Sequence, residues 1–255
     1  MTFALRPLRA LRPLLLAATL IGGALAPALA AEDSLSPAQQ AAVRALIRDT
    51  LVSDPEILRE AVQALQAKDE AEASAQQARA IKDLGPLLHS PEGLPALGNP
   101  KGDVTVIEFS DYNCGYCKRV FPVLWDEVEA DGQIKLYVME YPILGAESVM
   151  AARAALAAIG QDKYAEFHKA LMAHKGKFTE EAIAGIARAQ GLDAAKLKTA
   201  MAGKEVDAAL ARSFQIGQAL GISGTPAFIV ADRLVPGALD PATLKALVKE
   251  ARSGK

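Results

Sequence analysis

The sequence predicts an α/β protein: a βαβ unit, a helical insertion and a ββα unit, preceded by an N-terminal α-helical extension. The first observation is a buried-strand pattern at residues 104–109, followed by a helix from about 118 to 130 and a second β-rich strand at 134–141. Strand, helix and strand in so short a stretch are typical of a βαβ unit.

Two further observations come from the C-terminal half of the chain. Residues 146–219 have the pattern of several helices separated by short turns, and strand character returns at 227–230 and near 233–235. Asp240, a favoured N-cap residue, stands before a proline and opens a final helix. We therefore expect one main domain over residues 87–255, with the helical insertion at about 146–219.

Length and composition exclude several classes of protein. The 255 residues suit one large domain, or one domain with a small appendage. Hydrophobic residues make up 51% of the chain and charged residues 23%, which is typical of a globular protein and not of a disordered or fibrous one. Because the formal net charge is −2, a role in nucleic-acid binding has no electrostatic support.

The first 30 residues predict export. They contain Arg6, Arg9 and Arg12 but no acidic residue, and an apolar stretch and the run Ala-Leu-Ala at 28–30 follow. This is the pattern of a secretory signal peptide, and the apolar stretch is well short of the ~20 residues that an anchor helix needs. We expect residues 1–30 to be a signal peptide and the mature protein to act in the periplasm, where disulfides persist.

Residues 31–86 form the predicted helical extension. Ser36, with Gln39 three residues later, predicts one capped helix start, and Asp54 predicts another. The second helix should run to about Leu84. About 50 residues with so few large apolar side chains cannot bury a sufficient core alone. We therefore expect the extension to pack on the main domain or to associate with copies of itself.

Glycine and proline are concentrated in residues 85–102, which is the composition of a linker. We expect one short strand within this stretch and place the domain boundary between residues 86 and 87.

The two cysteines of the chain, Cys114 and Cys117, lie in the run Cys-Gly-Tyr-Cys between a predicted strand and a predicted helix. A disulfide between them would close a very short loop and would stabilise the fold by only about 2 kcal/mol according to the chain-entropy relation. Unpaired N–H groups and the dipole at a helix N-terminus lower the pKa of the first cysteine. We predict that Cys114 attacks a substrate sulfur and that Cys117 resolves the mixed disulfide.

Other chemistry fits the cysteine pair less well. Haem attachment requires a histidine after the second cysteine, and Lys118 stands there. A zinc site needs two further ligands, but His89, His168 and His174 form no ligand pattern. We expect His168 and His174 to be surface or partly buried helix residues. Two thiolates suit Cu(I), which stays an alternative to the prediction of a redox-active disulfide with no metal or cofactor.

Three elements occur in a fixed order: the run VIEFSDYNCGYCK at 106–118, the helical insertion and Gly-Thr-Pro at 224–226. Together they resemble the DsbA-like thioredoxin-fold proteins over roughly residues 97–253. The resemblance implies a thioredoxin fold, a cis peptide bond at Pro226 facing the cysteines, and pairing of the Thr225 backbone with a substrate peptide. Gly115 and Tyr116 would contact substrate and tune the reduction potential.

The same resemblance gives Glu108 a role. It lies six residues before Cys114, where this family has a buried acid beneath the active site. Burial would raise its pKa and let it exchange a proton with Cys117. Ile107 and Phe109 on either side leave open which face of the strand is buried, so a solvent-facing carboxylate stays the alternative.

Residues 53–65, SDPEILREAVQAL, resemble the helical extension of the suppressor-of-copper-sensitivity C (ScsC) proteins and of related exported DsbA-like proteins. In the trimeric members this segment oligomerises, and the assembly isomerises wrong disulfides and is kept reduced by a membrane partner. The resemblance implies a homo-oligomer and suggests a trimer, although the thin apolar stripe fixes no stoichiometry.

These expectations rank three functions. The first is a periplasmic thiol–disulfide oxidoreductase that acts mainly as a protein disulfide isomerase or reductase on exported cysteine-containing proteins. A membrane thiol reductase would supply its electrons, and its role would be linked to copper tolerance. The second is a DsbA-like oxidase that is served by a membrane oxidase. The third is a copper-binding or copper-relay protein.

Overall fold

The computed structural model describes residues 35–89 and 91–254 of the chain. The predicted signal peptide, residues 1–30, lies outside the described residues. Contacts divide the chain into two compact units, the first ending at Ala61 and the second beginning at Val62. The domain boundary between residues 86 and 87 stays a prediction.

The first unit contains helix α1 (Pro37–Ser53) and the beginning of α2 (Glu56–Asp83). The predicted capping box is confirmed: Ser36 Oγ accepts the N–H of Gln39, and Gln39 Oε1 accepts the N–H of Ser36 at 2.9 Å. None of residues 35–61 is buried, as expected for a segment without a core of its own.

The second unit is built on a five-stranded sheet with the strand order β1-β3-β2-β4-β5. The central strands β2 and β3 are parallel, and every other pair of neighbours is antiparallel. The strands are β1 (Leu97–Gly98), β2 (Val104–Ser110), β3 (Ile134–Glu140), β4 (Ala227–Val230) and β5 (Arg233–Pro236).

Helices surround this sheet. They are α3 (Gly85–His89), α4 (Gly115–Asp131), α5 (Ala146–Ala158), α6 (Tyr164–Ala173), α7 (Glu180–Ala189), α8 (Ala194–Ala200), α9 (Lys204–Ala219) and α10 (Pro241–Ser253), with a 3-10 turn at Ile159–Gln161. The predicted βαβ unit, helical insertion and ββα unit are thus present in order. The expected linker contains the short strand β1 but also the helix α3, which the sequence analysis did not predict.

Both faces of the sheet are buried. Successive side chains of a strand point to opposite sides, so even- and odd-numbered residues enter two different clusters. Even-numbered residues such as Val106 and Val138 pack with α4, the insertion and α10. Odd-numbered residues such as Ile107 pack with the end of α2, through Ile81, and with α9. This alternation decides which strand side chains lie beneath α4.

None of the helices in the two described ranges is long and apolar enough to cross a membrane.

Candidate active site

Cys114 is the N-cap residue of helix α4, directly beyond the turn that follows β2. Its sulfur accepts the N–H of Cys117 at 3.4 Å, and its own N–H donates to the carbonyl oxygen of Asp111 at 3.0 Å. Cys114 is 6% exposed and Cys117 is fully buried, and both are free thiols. The helix start therefore places a cysteine that is slightly exposed one turn before a cysteine that is fully buried.

The two sulfurs differ sharply in acidity. The pKa of Cys114 is lowered to about 5, chiefly by the hydrogen bond from the Cys117 side chain and also by N–H groups of the first helical turn. The pKa of Cys117 is raised above its usual range by that same bond, by burial and by the negative charge of Glu108. At neutral pH Cys114 is the thiolate and Cys117 keeps its proton.

Glu108 lies on β2 and is fully buried. Like Val106, it points to the face of the sheet that packs with α4. Of the two orientations that the sequence allowed for Glu108, the structure therefore has the buried one, beneath the cysteines. Its Oε1 accepts the Ser110 hydroxyl at 2.9 Å. Burial raises its pKa to about 7, against the Ser110 hydrogen bond and with a smaller contribution from the charge of Cys114.

Thr225 and Pro226 come from the loop before β4, and the main chain of Thr225 lies against Cys114. The Thr225–Pro226 peptide bond is cis, as the resemblance implied. The Cys114 thiol donates to the Thr225 carbonyl oxygen at 3.1 Å, while Thr225 Oγ1 is buried without a hydrogen-bond partner among the described residues. A groove of about 280 Å³ runs beside Pro226, with Gln77 and Leu234 in its walls.

A cysteine pair at a helix start, opposite a Thr-Pro loop on a mixed sheet, agrees with the family comparison. The model of the DSBA-like thioredoxin domain matches residues 105–249, more than half of the chain. The chain belongs to the DsbA-like thioredoxin family. A second family model, the N-terminal domain of the copper resistance protein ScsC, matches residues 39–72.

Individual relatives of this DsbA-like protein agree with that assignment. A thioredoxin-like oxidoreductase from Silicibacter pomeroyi is 48% identical, with a TM-score of 0.64 over 65% of this chain and 96% of that one. ScsC from Proteus mirabilis in a transitional conformation is 32% identical, with a TM-score of 0.64 over 87% and 99% of the two chains. The probable disulfide bond formation protein D of Bacillus cereus is 27% identical over 66% of this chain and 84% of its own length. By contrast, the chain spans only 24% of the length of each of the two Salinispora sodium/proton antiporters that it matches.

Gly115 and Tyr116 separate the cysteines of this DsbA-like site and face outward. Both are exposed, and the Tyr116 side chain is 62% exposed. The guanidinium carbon of Arg119 lies 4.4 Å from the Tyr116 ring centroid, in the geometry of a cation–π contact. The dipeptide therefore forms the outer rim of the active site.

The Lys118 side chain contacts the segment that follows α6. Its ammonium group donates to the His174 carbonyl oxygen and lies 5.1 Å from the centroid of the Phe178 ring. The side chain thus joins α4 to the connection between α6 and α7.

The structure also reveals a buried polar cluster that the sequence analysis missed. Glu140 Oε1 accepts the hydroxyls of Tyr112 and Tyr164, both at 2.8 Å, and Nδ1 of His168 lies 2.6 Å from the Tyr112 hydroxyl. The expectation that His168 is a surface or partly buried residue is wrong. Its side chain is fully buried because α6 packs against α4, where the ring meets Phe121 at a centroid distance of 4.8 Å.

A signal for part of this cluster was present in the sequence. Tyr112 follows β2 and Glu140 ends β3, and the carboxyl ends of adjacent parallel strands meet at one edge of a sheet. The contributions of Tyr164 and His168 depend on how the insertion packs, which no local pattern gives.

Within residues 35–89 and 91–254, no group of three or more His, Cys, Asp and Glu side chains is placed to hold a metal ion.

Proposed function

We propose that this protein is a periplasmic thiol–disulfide oxidoreductase that acts mainly as a protein disulfide isomerase or reductase. The observation that carries the proposal is the division of acidity between Cys114 and Cys117. A thiolate is the attacking species in thiol–disulfide exchange, and the Cys114 thiolate is available at neutral pH.

In the proposed reaction, the Cys114 thiolate attacks one sulfur of a substrate disulfide, and the other substrate sulfur leaves as a thiolate. In isomerisation, that thiolate attacks a different disulfide of the same substrate, and Cys114 is finally released with no net transfer of electrons. In reduction, Cys117 gives its proton to Glu108 and attacks the Cys114 sulfur. The products are a Cys114–Cys117 disulfide and a reduced substrate, and a membrane thiol reductase then restores the dithiol.

The surroundings of Cys114 suit peptide substrates of varied sequence. The Thr225 main chain and the groove beside Pro226 offer backbone pairing, which depends little on side chains. The exposed Tyr116 offers shallow apolar contact. Exported cysteine-containing proteins are accordingly the proposed substrates.

The preference for isomerase over oxidase rests on the N-terminal extension. Leu46, Ile47 and Leu58 in the first unit are 67%, 53% and 49% exposed, which leaves apolar surface uncovered. The match of residues 39–72 to the ScsC N-terminal domain supports covering this surface with further copies of the chain. We propose a homo-oligomer, with a trimer suggested by the ScsC resemblance, and a link to copper tolerance on the same ground.

The test is the reactivation of a scrambled-disulfide substrate by the reduced mature protein, residues 31–255. We compare it with a variant that carries Leu46→Gln, Ile47→Gln and Leu58→Gln, and with a control variant, Arg48→Gln, at a neighbouring exposed position. Sedimentation measures the assembly state of each. Isomerase activity that falls together with self-association in the triple variant, and in that variant alone, supports the proposal.

A DsbA-like oxidase is the second candidate. The lowered pKa of Cys114 favours it, because a stabilised thiolate is a good leaving group and makes the disulfide form more oxidising. Rapid oxidation of a reduced unfolded protein, with no reactivation of the scrambled substrate by any variant, would select this function. Stoichiometric Cu(I) binding with negligible thiol exchange would instead select the copper-binding alternative.

A further inference from the structure

Two fully buried carboxyl groups, Glu108 and Glu140, lie on adjacent parallel strands beneath the active site. Ser110 pairs with Glu140 and Glu108 with Val138, so both acids point to the face of the sheet that packs with α4. The strand spacing and the rise per residue separate their Cα atoms by roughly 8 Å. Each carboxyl leaves its Oε2 without a hydrogen-bond partner in the described part of the chain.

The groups around Glu140 provide no compensating positive charge. The titratable neighbours come from β2, from the turn before α4 and from α6: Glu108, Asp111, Tyr112, Tyr164 and His168. His168 is neutral, because burial and, to a smaller extent, the positive charge of Lys169 lower its pKa to about 3. No Lys or Arg in the described ranges forms an ion pair with either buried carboxyl.

Two such acids cannot ionise independently. The pKa of Glu140 is raised to about 8: burial raises it most, the hydrogen bonds from the two tyrosine hydroxyls lower it, and the charges of Glu108 and Asp111 make smaller contributions that raise it. The pKa of Glu108 is about 7. Groups that interact in this way lose their protons in steps that belong to the pair.

The Tyr112 hydroxyl connects this pair to a histidine. It has one proton and two neighbouring acceptors, Glu140 Oε1 at 2.8 Å and His168 Nδ1 at 2.6 Å. When Glu140 is ionised, Tyr112 donates to Glu140, and His168 must carry its proton on Nδ1 to donate to Tyr112. When Glu140 is protonated and donates to Tyr112, the hydroxyl turns to His168, which then carries its proton on Nε2.

We propose that Glu140 is a positioning residue for thiol exchange: it and Glu108 exchange protons as one pair beneath the cysteines, and Tyr112 passes the protonation state of Glu140 to His168. The inference rests on the proposed function, in which the Cys117 proton moves to Glu108 and the electron pair of the broken S–S bond leaves with the substrate thiolate. Glu140 acts through Glu108, which holds its proton more strongly when Glu140 is charged.

The first test is a pH titration of the reduced mature protein by nitrogen NMR of its histidine rings. The sequence has only three histidines, which makes assignment simple. We expect His168 to remain neutral but to change tautomer with a midpoint near pH 8. Glu140→Gln should abolish the change, and Glu108→Gln should lower the midpoint by about one pH unit, since it removes a like charge. A tautomer that is constant with pH in the wild type, or a midpoint that Glu108→Gln leaves in place, overturns the proposal.

The second test measures how fast Cys117 resolves a mixed disulfide preformed on Cys114, as a function of pH. In Glu140→Gln we expect the rate to rise at lower pH and over a narrower pH range than in the wild type, because Glu108 then titrates alone. The control is Tyr141→Phe, which removes a buried hydroxyl that donates to the Ile222 carbonyl on the opposite face of the sheet and should keep the wild-type profile.

The second test distinguishes failure of the proposed function from failure of the role proposed for Glu140. If the wild type forms no mixed disulfide, the proposed function fails. If the wild type exchanges normally and the profile of a folded Glu140→Gln variant superimposes on it, only the role of Glu140 is overturned. Fluorescence of the single tryptophan, Trp125, which lies 6.2 Å from Phe121 between ring centroids, reports whether each variant is folded.

Discussion

The sulfur of Cys114 lies 3.1 Å from the carbonyl oxygen of Thr225, although 111 residues separate them in the sequence. A carbonyl oxygen can only accept a hydrogen bond, so this contact is satisfied by the protonated thiol and is lost when the thiolate forms. In the proposed function, the ionised Cys114 would then be free to turn to a substrate whose backbone lies along the same loop. The proposed function would thus place peptide binding and thiol exchange at the same contact.

Substituting each cysteine separately should divide the proposed reaction into its two steps. Cys114→Ser should abolish exchange, because it removes the nucleophile. Cys117→Ser should accumulate mixed disulfides between Cys114 and its substrates, since the resolving thiol is gone. Non-reducing gels and mass spectrometry of the bands measure both outcomes. Normal exchange rates in Cys114→Ser would show that the nucleophile is assigned wrongly.

The reactivity of Cys114 should follow its lowered pKa. Alkylation of the reduced protein should have a midpoint near pH 5 and stay constant from pH 7 upward. At pH 7 the thiolate fraction should be roughly 30 times that of an ordinary cysteine. The matched variant is Cys117→Ala, which removes the largest contribution and should move the midpoint to higher pH. A midpoint near pH 8.5 in the wild type would contradict the prediction.

The unpaired hydroxyl of Thr225 should matter for the thiolate more than for the thiol. Oγ1 has no partner while Cys114 is protonated, but the threonine side chain contributes to lowering the Cys114 pKa. Thr225→Val keeps the shape and the main-chain carbonyl. It should raise the alkylation midpoint while leaving stability unchanged or increased by about 1 kcal/mol, because an unsatisfied buried hydroxyl is removed. An unchanged midpoint would show that the hydroxyl does not reach the sulfur.

The wild-type protein should become less stable as the pH rises, because Glu108 is buried and ionises. Its folded pKa, about 7, exceeds the ordinary value of 4.5, so stability is fully present below about pH 4.5 and is lost as the pH rises to about 7. Gln at this position keeps the Ser110 hydrogen bond and cannot ionise. Relative to the wild type, Glu108→Gln should therefore gain about 3 kcal/mol between pH 4 and pH 8.

Denaturant unfolding at a series of pH values measures this gain. The matched comparison is Ser110→Ala, which removes the hydroxyl that donates to Glu108; the pKa of Glu108 should then rise further, so that the loss of stability is larger and extends to higher pH than in the wild type. A constant difference between Glu108→Gln and the wild type at every pH would show that Glu108 is not buried with a raised pKa.

The elements could be predicted where local chemistry decides them. The Ser36 capping box, the strands β2 and β3, and the start of α10 at Asp240 depend on neighbouring residues alone, and each lies where the pattern placed it. The short helix α3 was missed, because Leu88 becomes buried only by packing on the sheet, and tertiary packing overrides weak local propensity.

By itself, the sequence determined the βαβ order and the cysteine pair at the helix start, because strand alternation and helix capping act over a few residues. The tertiary structure alone decided the burial of Glu108, the contact of Thr225 with Cys114 and the enclosure of His168 beside Glu140. These depend on which face of a strand another element covers and on contacts between residues far apart in the chain. Their chemistry follows from burial, which exists only once the chain has folded.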